Sequence, residues 1–127
     1  MAPDCDILVV DDDEDVLSLI AEALRLKGYR CLQARDAGAA LAMLASGQAP
    51  RLLLVDLCMP VVDGLGFLSQ ASQLSSTRDA SVLICTGSPQ ARQPPNGVPV
   101  LVKPFDLAEL HDRVRALIGE APRGANP

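Results

Sequence analysis

The sequence predicts an α/β fold, a doubly wound parallel sheet of five strands with helices on both faces. Three observations predict it. Short aliphatic runs alternate with amphipathic segments along the whole chain. The runs are apolar at consecutive positions, so each needs cover on both faces. The chain has 127 residues, 49% of them hydrophobic but only 2% aromatic, which suits one domain around an aliphatic core.

The elements follow in order. Residues 7–10 (ILVV) form a β-branched strand that stops at a cluster of aspartates. Val16, Leu17, Leu19, Ile20, Ala23, Leu24 and Leu26 then recur at helical spacing, and Gly28 stands where a glycine ends a helix. Residues 30–34 are the second strand. Asp36 caps a helix through residues 39–44 that stops near Gly47. Residues 52–55 (LLLV) are the third strand, ended by Asp56. Beyond Pro60 and Gly64, residues 65–74 make a weaker helix. Residues 81–85 and 99–102 are strands four and five. Asp106 caps a last helix with Leu107, Leu110, Val114 and Leu117 on its apolar face, and His111 is expected on its exposed face.

One crossover departs from the pattern. Between Thr86 and Lys103 stand Pro89, Pro94, Pro95, Gly97 and Pro99. A proline inside a helix costs about 3 kcal/mol, so the fourth helix of a (βα)5 arrangement is shortened or missing, with at most one turn at 89–93. Residues 1–118 form the domain. The Gly/Pro-rich residues 119–127 read as a flexible tail or a truncated linker.

Charge and composition exclude several classes. With 11 Lys+Arg against 16 Asp+Glu the net charge is −5, which repels phosphate backbones and argues against direct nucleic-acid binding. No stretch approaches the ~20 apolar residues of a membrane span, and the acidic start lacks the features of a signal peptide. Cys5, Cys31, Cys58 and Cys85 contain no CxxC, and His111 is the only histidine. They read as reduced thiols in a cytoplasmic protein.

Polar residues gather at one edge. In open parallel sheets the ligand crevice lies at the carboxyl ends of the strands. Asp11 and Asp12 end strand one, Asp56 ends strand three, Thr86 ends strand four and Lys103 ends strand five. Crowded carboxylates repel one another and hold protons more tightly. A hard divalent cation with oxygen ligands relieves this, and Mg²⁺ suits a site of few carboxylates that also accepts a phosphate oxygen. A carboxylate there can act as nucleophile toward a phosphoryl donor, with Lys103 and Thr86 meeting charge on the transferred oxygens.

The segments ILVVDDDEDV, LLLVDLCMPVVDG, VLICTGS and VLVKPF resemble, in order and spacing, the four signatures of response-regulator receiver domains. The resemblance covers about residues 6–118. It implies a flavodoxin-like sheet of order 2-1-3-4-5. It also implies that Asp11 and Asp12 are metal-site acids, Asp56 the phospho-acceptor and further metal ligand, and Cys58 a backbone-carbonyl ligand to Mg²⁺. Thr86 is then the switch hydroxyl, Lys103 the phosphate partner, and the peptide before Pro104 cis. The implied function is a Mg²⁺-dependent switch that takes a phosphoryl group from a sensor histidine kinase or histidine phosphotransfer protein and alters binding to a downstream protein. Such a protein is not an enzyme beyond its own phosphorylation and dephosphorylation. Val100 departs from the pattern, since the family carries Tyr or Phe there, and so does the proline-rich crossover.

Blander readings exist for each residue alone. Asp11–Asp13 can be a solvated cap of the first helix, Asp56 a cap of the next segment, and Lys103 a surface charge. Near carboxylates, Cys58 is expected to be a quiet thiol. An EF-hand fails because Val16 replaces the required glycine. Two other functions compete. Val100 and the prolines suggest a constitutive interaction module. Asp11 and Asp13 have the spacing of an aspartyl-phosphate hydrolase, but the Thr and Gly that should follow are absent. A flavin site is opposed by aspartates in the phosphate-binding loop.

Overall fold

A computed structural model describes residues 5–57, 63–87 and 97–121. The expected Pro89–Gln93 turn, Cys58 and residues 122–127 lie outside them. The strands are β1 (Ile7–Val10), β2 (Cys31–Ala34), β3 (Leu52–Val55), β4 (Ser81–Thr86) and β5 (Val100–Val102). The helices among the described residues are α1 (Glu14–Leu26), α2 (Ala37–Ala45), α3 (Gly64–Ala71) and α4 (Leu107–Ile118), with one 3₁₀ turn at Ser75–Thr77. The sheet has the order β2-β1-β3-β4-β5 and every pairing is parallel.

Side chains alternate across the sheet, so each strand feeds two cores. Ile7, Val9, Leu52, Leu54, Leu83, Cys85 and Leu101 pack under α1 and α4. Leu8, Val10, Leu53 and Val55 pack under α2 and α3, around Phe67. This explains why the strands lack a period-2 pattern: both faces are dry.

Aspartates start all four helices. The carboxylate of Asp13 accepts from the N–H groups of Asp15 and Val16, and Asp36, Asp63 and Asp106 accept from Ala39, Gly66 and Glu109. Each satisfies an N–H that the helix cannot. Gly28, with φ of 97°, ends the first helical segment in the left-handed region.

Three local expectations need correction. The third helix ends at Ala71, not Leu74. Hydroxyls there compete for the helical carbonyls: Ser72 Oγ donates to Ser69 O and Thr77 Oγ1 to the carbonyls of Ala71 and Leu74, and the chain tightens into the 3₁₀ turn. On α4 the buried stripe is Leu110, Val114 and Ile118. It follows i, i+4, i+8, which leaves Leu107 41% exposed and Leu117 only partly buried. That rotation also turns His111 onto Tyr29, edge-on, with ring centroids 6.2 Å apart, rather than outward.

Asp6 is a buried charge that the pattern of the sequence does not mark. It is fully buried and accepts from the backbone N–H and guanidinium of Arg30. Asp6 lies at the start of β1, at the edge opposite the acids.

Candidate functional site

The register of the sheet builds the site. Val10 pairs with Ala34 and with Val55, so Asp11 and Asp56 leave adjacent strands at the same height. The ladder continues one residue beyond the strands: Asp11 N–H donates to Ala34 O at 3.1 Å, Asp56 N–H to Val10 O at 3.0 Å and Lys103 N–H to Thr86 O at 2.9 Å. The residues that follow β1, β3 and β5 are therefore each still tied to the neighbouring strand by a backbone hydrogen bond.

Their side chains converge. Asp11, Asp12 and Asp56 place carboxylate oxygens within 4.8 Å of one another. Asp11 and Asp56 are buried and Asp12 is exposed. Lys103 Nζ donates to Asp11 Oδ2 at 2.7 Å and lies 3.5 Å from Asp56 Oδ2. The second oxygen of Asp11 accepts from Asp13 N–H at 3.0 Å, which orients the carboxylate. Thr86 is fully buried at the end of β4, between the strands that carry Asp56 and Lys103. The Lys103–Pro104 peptide is cis, as the resemblance implied.

The electrostatics favour the charged form of Lys103. Burial works against the charge on Lys103, but the hydrogen bond and charge of Asp11 and the charge of Asp56 outweigh it. The ammonium therefore holds its proton above its usual range. Below the site Cys85 is the opposite case: burial pushes its thiol up to about 12, so it belongs to the core and not to the chemistry.

The donor set fits Mg²⁺. It consists of hard carboxylate oxygens, close enough to share one small ion, with Asp12 open to solvent so that water can complete the coordination. Cys58, whose carbonyl the resemblance adds, lies outside the described residues.

The family of response regulator receiver domains matches residues 7–115. The chain belongs to that family. This receiver domain is 36% identical over 115 residues to the transcriptional regulatory protein PrrA of Mycobacterium tuberculosis, a match covering 88% of the chain and 49% of PrrA. The chain thus spans about half the length of the curated relatives it matches. Among solved structures, the receiver domain of the hybrid histidine kinase CckA superposes with a TM-score of 0.77 at 33% identity, covering 88% of this chain and 97% of that one. The receiver of the sensor histidine kinase PA1611 from Pseudomonas aeruginosa gives 0.80 at 26% identity, covering 91% and 98%, and carries a magnesium ion in its active-site cleft.

The receiver's sequence and structure agree on the identity of the fold and on the edge where the polar residues meet. Reading along the chain singled out Asp11, Asp12, Asp56 and Lys103, and the structure brings all four into one cluster. Gly64 was read only as a break before a helix. The structure sets it directly against the backbone of Asp56. Only the DG pair at the end of the second signature could have signalled it.

Proposed function

We propose that Asp56 is the phosphoryl acceptor of this receiver, and that Asp11, Asp12 and Asp56 hold the Mg²⁺ that the transfer requires. One observation carries the reading: a buried carboxylate, Asp56, faces two further acids and a lysine 3.5 Å away at the carboxyl edge of the sheet. A carboxylate oxygen of Asp56 forms the new O–P bond as the P–N bond of a phosphohistidine breaks, and the histidine nitrogen leaves with the electron pair. Lys103 meets the charge on the transferred oxygens. Thr86, at the end of the neighbouring strand, is the hydroxyl that follows the phosphoryl group. Mg²⁺ held by Asp11, Asp12 and Asp56 would supply charge neutralisation for the phosphoryl oxygens.

The donor is a sensor histidine kinase or a histidine phosphotransfer protein. An apolar groove lined by Val16, Leu19, Ile20, Phe105 and Leu107 opens beside Lys103, with Leu19 54% and Leu107 41% exposed. It offers a docking strip next to the acceptor. The output is a change in binding to a downstream protein rather than turnover of a substrate, and the acidic surface does not itself bind nucleic acid. The protein acts in the cytoplasm, a reading supported by Cys5, Cys31 and Cys85 being free and buried. No helix among the described residues is long and apolar enough to cross a membrane.

The test is mass spectrometry after incubation with Mg²⁺ and a small acyl phosphate. One phosphoryl group is expected on the peptide containing Asp56, lost with EDTA and in Asp56→Asn. Labelling that persists in Asp56→Asn, or no labelling of the wild type, would overturn the assignment.

A further inference from the structure

Gly64 opens α3 and sits against the chain segment that carries the acceptor. A Cβ built on Gly64 would lie 2.4 Å from the carbonyl oxygen of Asp56, 2.8 Å from Leu57 Cα and 3.0 Å from the carbonyl carbon of Asp56. Every one of these atoms is backbone, so no flexible side chain can move aside. The Gly64 N–H donates to Leu57 O at 3.1 Å, which holds the approach close. The backbone of Gly64 does not lie in the left-handed region, so space, not conformation, demands glycine here.

Neither partner can retreat easily. The helix is fixed by its cap, Asp63, and by Phe67 and Ala71, which are buried in the core below α2 and α3. Asp56 is fixed on its other side, where its N–H donates to Val10 O at 3.0 Å. Asp56 is thus clamped, its N–H held by β1 and its carbonyl met by the start of α3, and its backbone position sets that of the Asp56 carboxylate among Asp11, Asp12 and Lys103.

We propose that Gly64 is a positioning residue for Asp56: its missing side chain lets α3 press on the acceptor's own peptide and fixes where the carboxylate stands in the acidic cluster. The proposal rests on Asp56 being the acceptor. A carboxylate displaced by a fraction of an ångström to an ångström meets the metal and the phosphoryl group in the wrong place, and misplacement by about 1 Å costs on the order of 100-fold in rate.

The test compares wild type with Gly64→Ala, with Leu44→Ala as a control of lowered stability, and with Gly38→Ala, whose added Cβ meets nothing closer than Asp36 Oδ1 at 3.4 Å. Leu44 is buried near the end of α2. The readouts are Mg²⁺ affinity by titration calorimetry and the rate of acyl-phosphate labelling of Asp56. Gly64→Ala is expected to bind Mg²⁺ about tenfold more weakly and to label about 100-fold more slowly, while Leu44→Ala and Gly38→Ala, folded, stay within about twofold of wild type. Equal Mg²⁺ affinity and labelling in folded Gly64→Ala, or losses no greater than in Leu44→Ala, would overturn the proposal. Should Gly64→Ala not fold alone, it is tested in the Gly38→Ala background, and failure to fold there also overturns it, because Gly64 would then serve stability alone. If the wild type is not labelled at Asp56, the acceptor assignment itself fails, which separates the two outcomes.

Discussion

Replacing Lys103 with Met keeps the aliphatic stem and removes the charge. The ammonium stands 2.7 Å from Asp11 and 3.5 Å from Asp56, with a side chain 21% exposed against 3% and 9% for the acids. In metal-free buffer at pH 7 the variant leaves two buried carboxylates facing each other. Deleting one partner of a fully buried pair costs about 3–5 kcal/mol, and partial exposure of Lys103 brings this to roughly 2–3 kcal/mol. With about 2.1 cal/mol/K of unfolding entropy per residue, a chain of 127 residues should lose roughly 7–11 °C in Tm. The same change removes a positive charge from beside the carboxylates proposed to bind Mg²⁺. Relief of that repulsion is worth on the order of 1.5 kcal/mol or more, or roughly tenfold tighter binding. Thermal unfolding followed by circular dichroism, in EDTA and across a Mg²⁺ titration, checks both halves. The variant should melt lower in EDTA and gain more from Mg²⁺ than wild type. The pH dependence has a definite sign. Lys103 holds its proton more tightly folded than unfolded, so its contribution is complete below its ordinary pKa of 10.5 and disappears as the pH rises through the raised folded value. Equal melting in EDTA at pH 7, or equal gains from Mg²⁺, would refute the electrostatic account of the cluster.

Phe67→Ala removes the fully buried ring between α2 and α3 and should cost about 3–5 kcal/mol, read from urea unfolding. Tyr29→Phe removes the hydroxyl that donates to Gly119 O at 2.5 Å; about 1 kcal/mol should be lost, with faster amide exchange at the end of α4. Burial pushes the thiols of Cys5, Cys31 and Cys85 up to about 11, 12 and 12. Iodoacetamide at pH 8 should therefore leave all three unmodified in the native protein and label them in denaturant, as mass mapping would show. Asp36→Ala deletes the cap of α2, which bonds Ala39 N–H at 2.7 Å, and should lower the urea midpoint by the equivalent of about 1 kcal/mol.

Much of this receiver is local information. Strands such as ILVV and LLLV are uniformly apolar because both faces are buried, and that alone points to a parallel sheet covered by helices. Aspartate caps mark the helix starts because a free N–H at a helix end needs an acceptor nearby in sequence. The acids and the lysine are legible because polar residues that end apolar strands share one edge of any parallel sheet. Four ordered signatures then named the family.

Other features depend on what meets across the fold. Whether Leu19 or Leu17 is buried turns on the rotation of α1 about its axis, which only packing against β-strands fixes. The early end of α3 came from Thr77 reaching back to Ala71 and Leu74, a competition among hydroxyls that helical periodicity does not register. The depth of Asp6 required Arg30, just before β2. The closeness of Gly64 to Asp56 required a helix and a strand end to be pressed together from opposite sides. The sequence by itself determined which residue types stand at the carboxyl edge of the sheet, because that follows from patterns a few residues long. Only the tertiary structure decided their distances, burial and pairings, because these arise between residues up to 92 positions apart, such as Asp11 and Lys103.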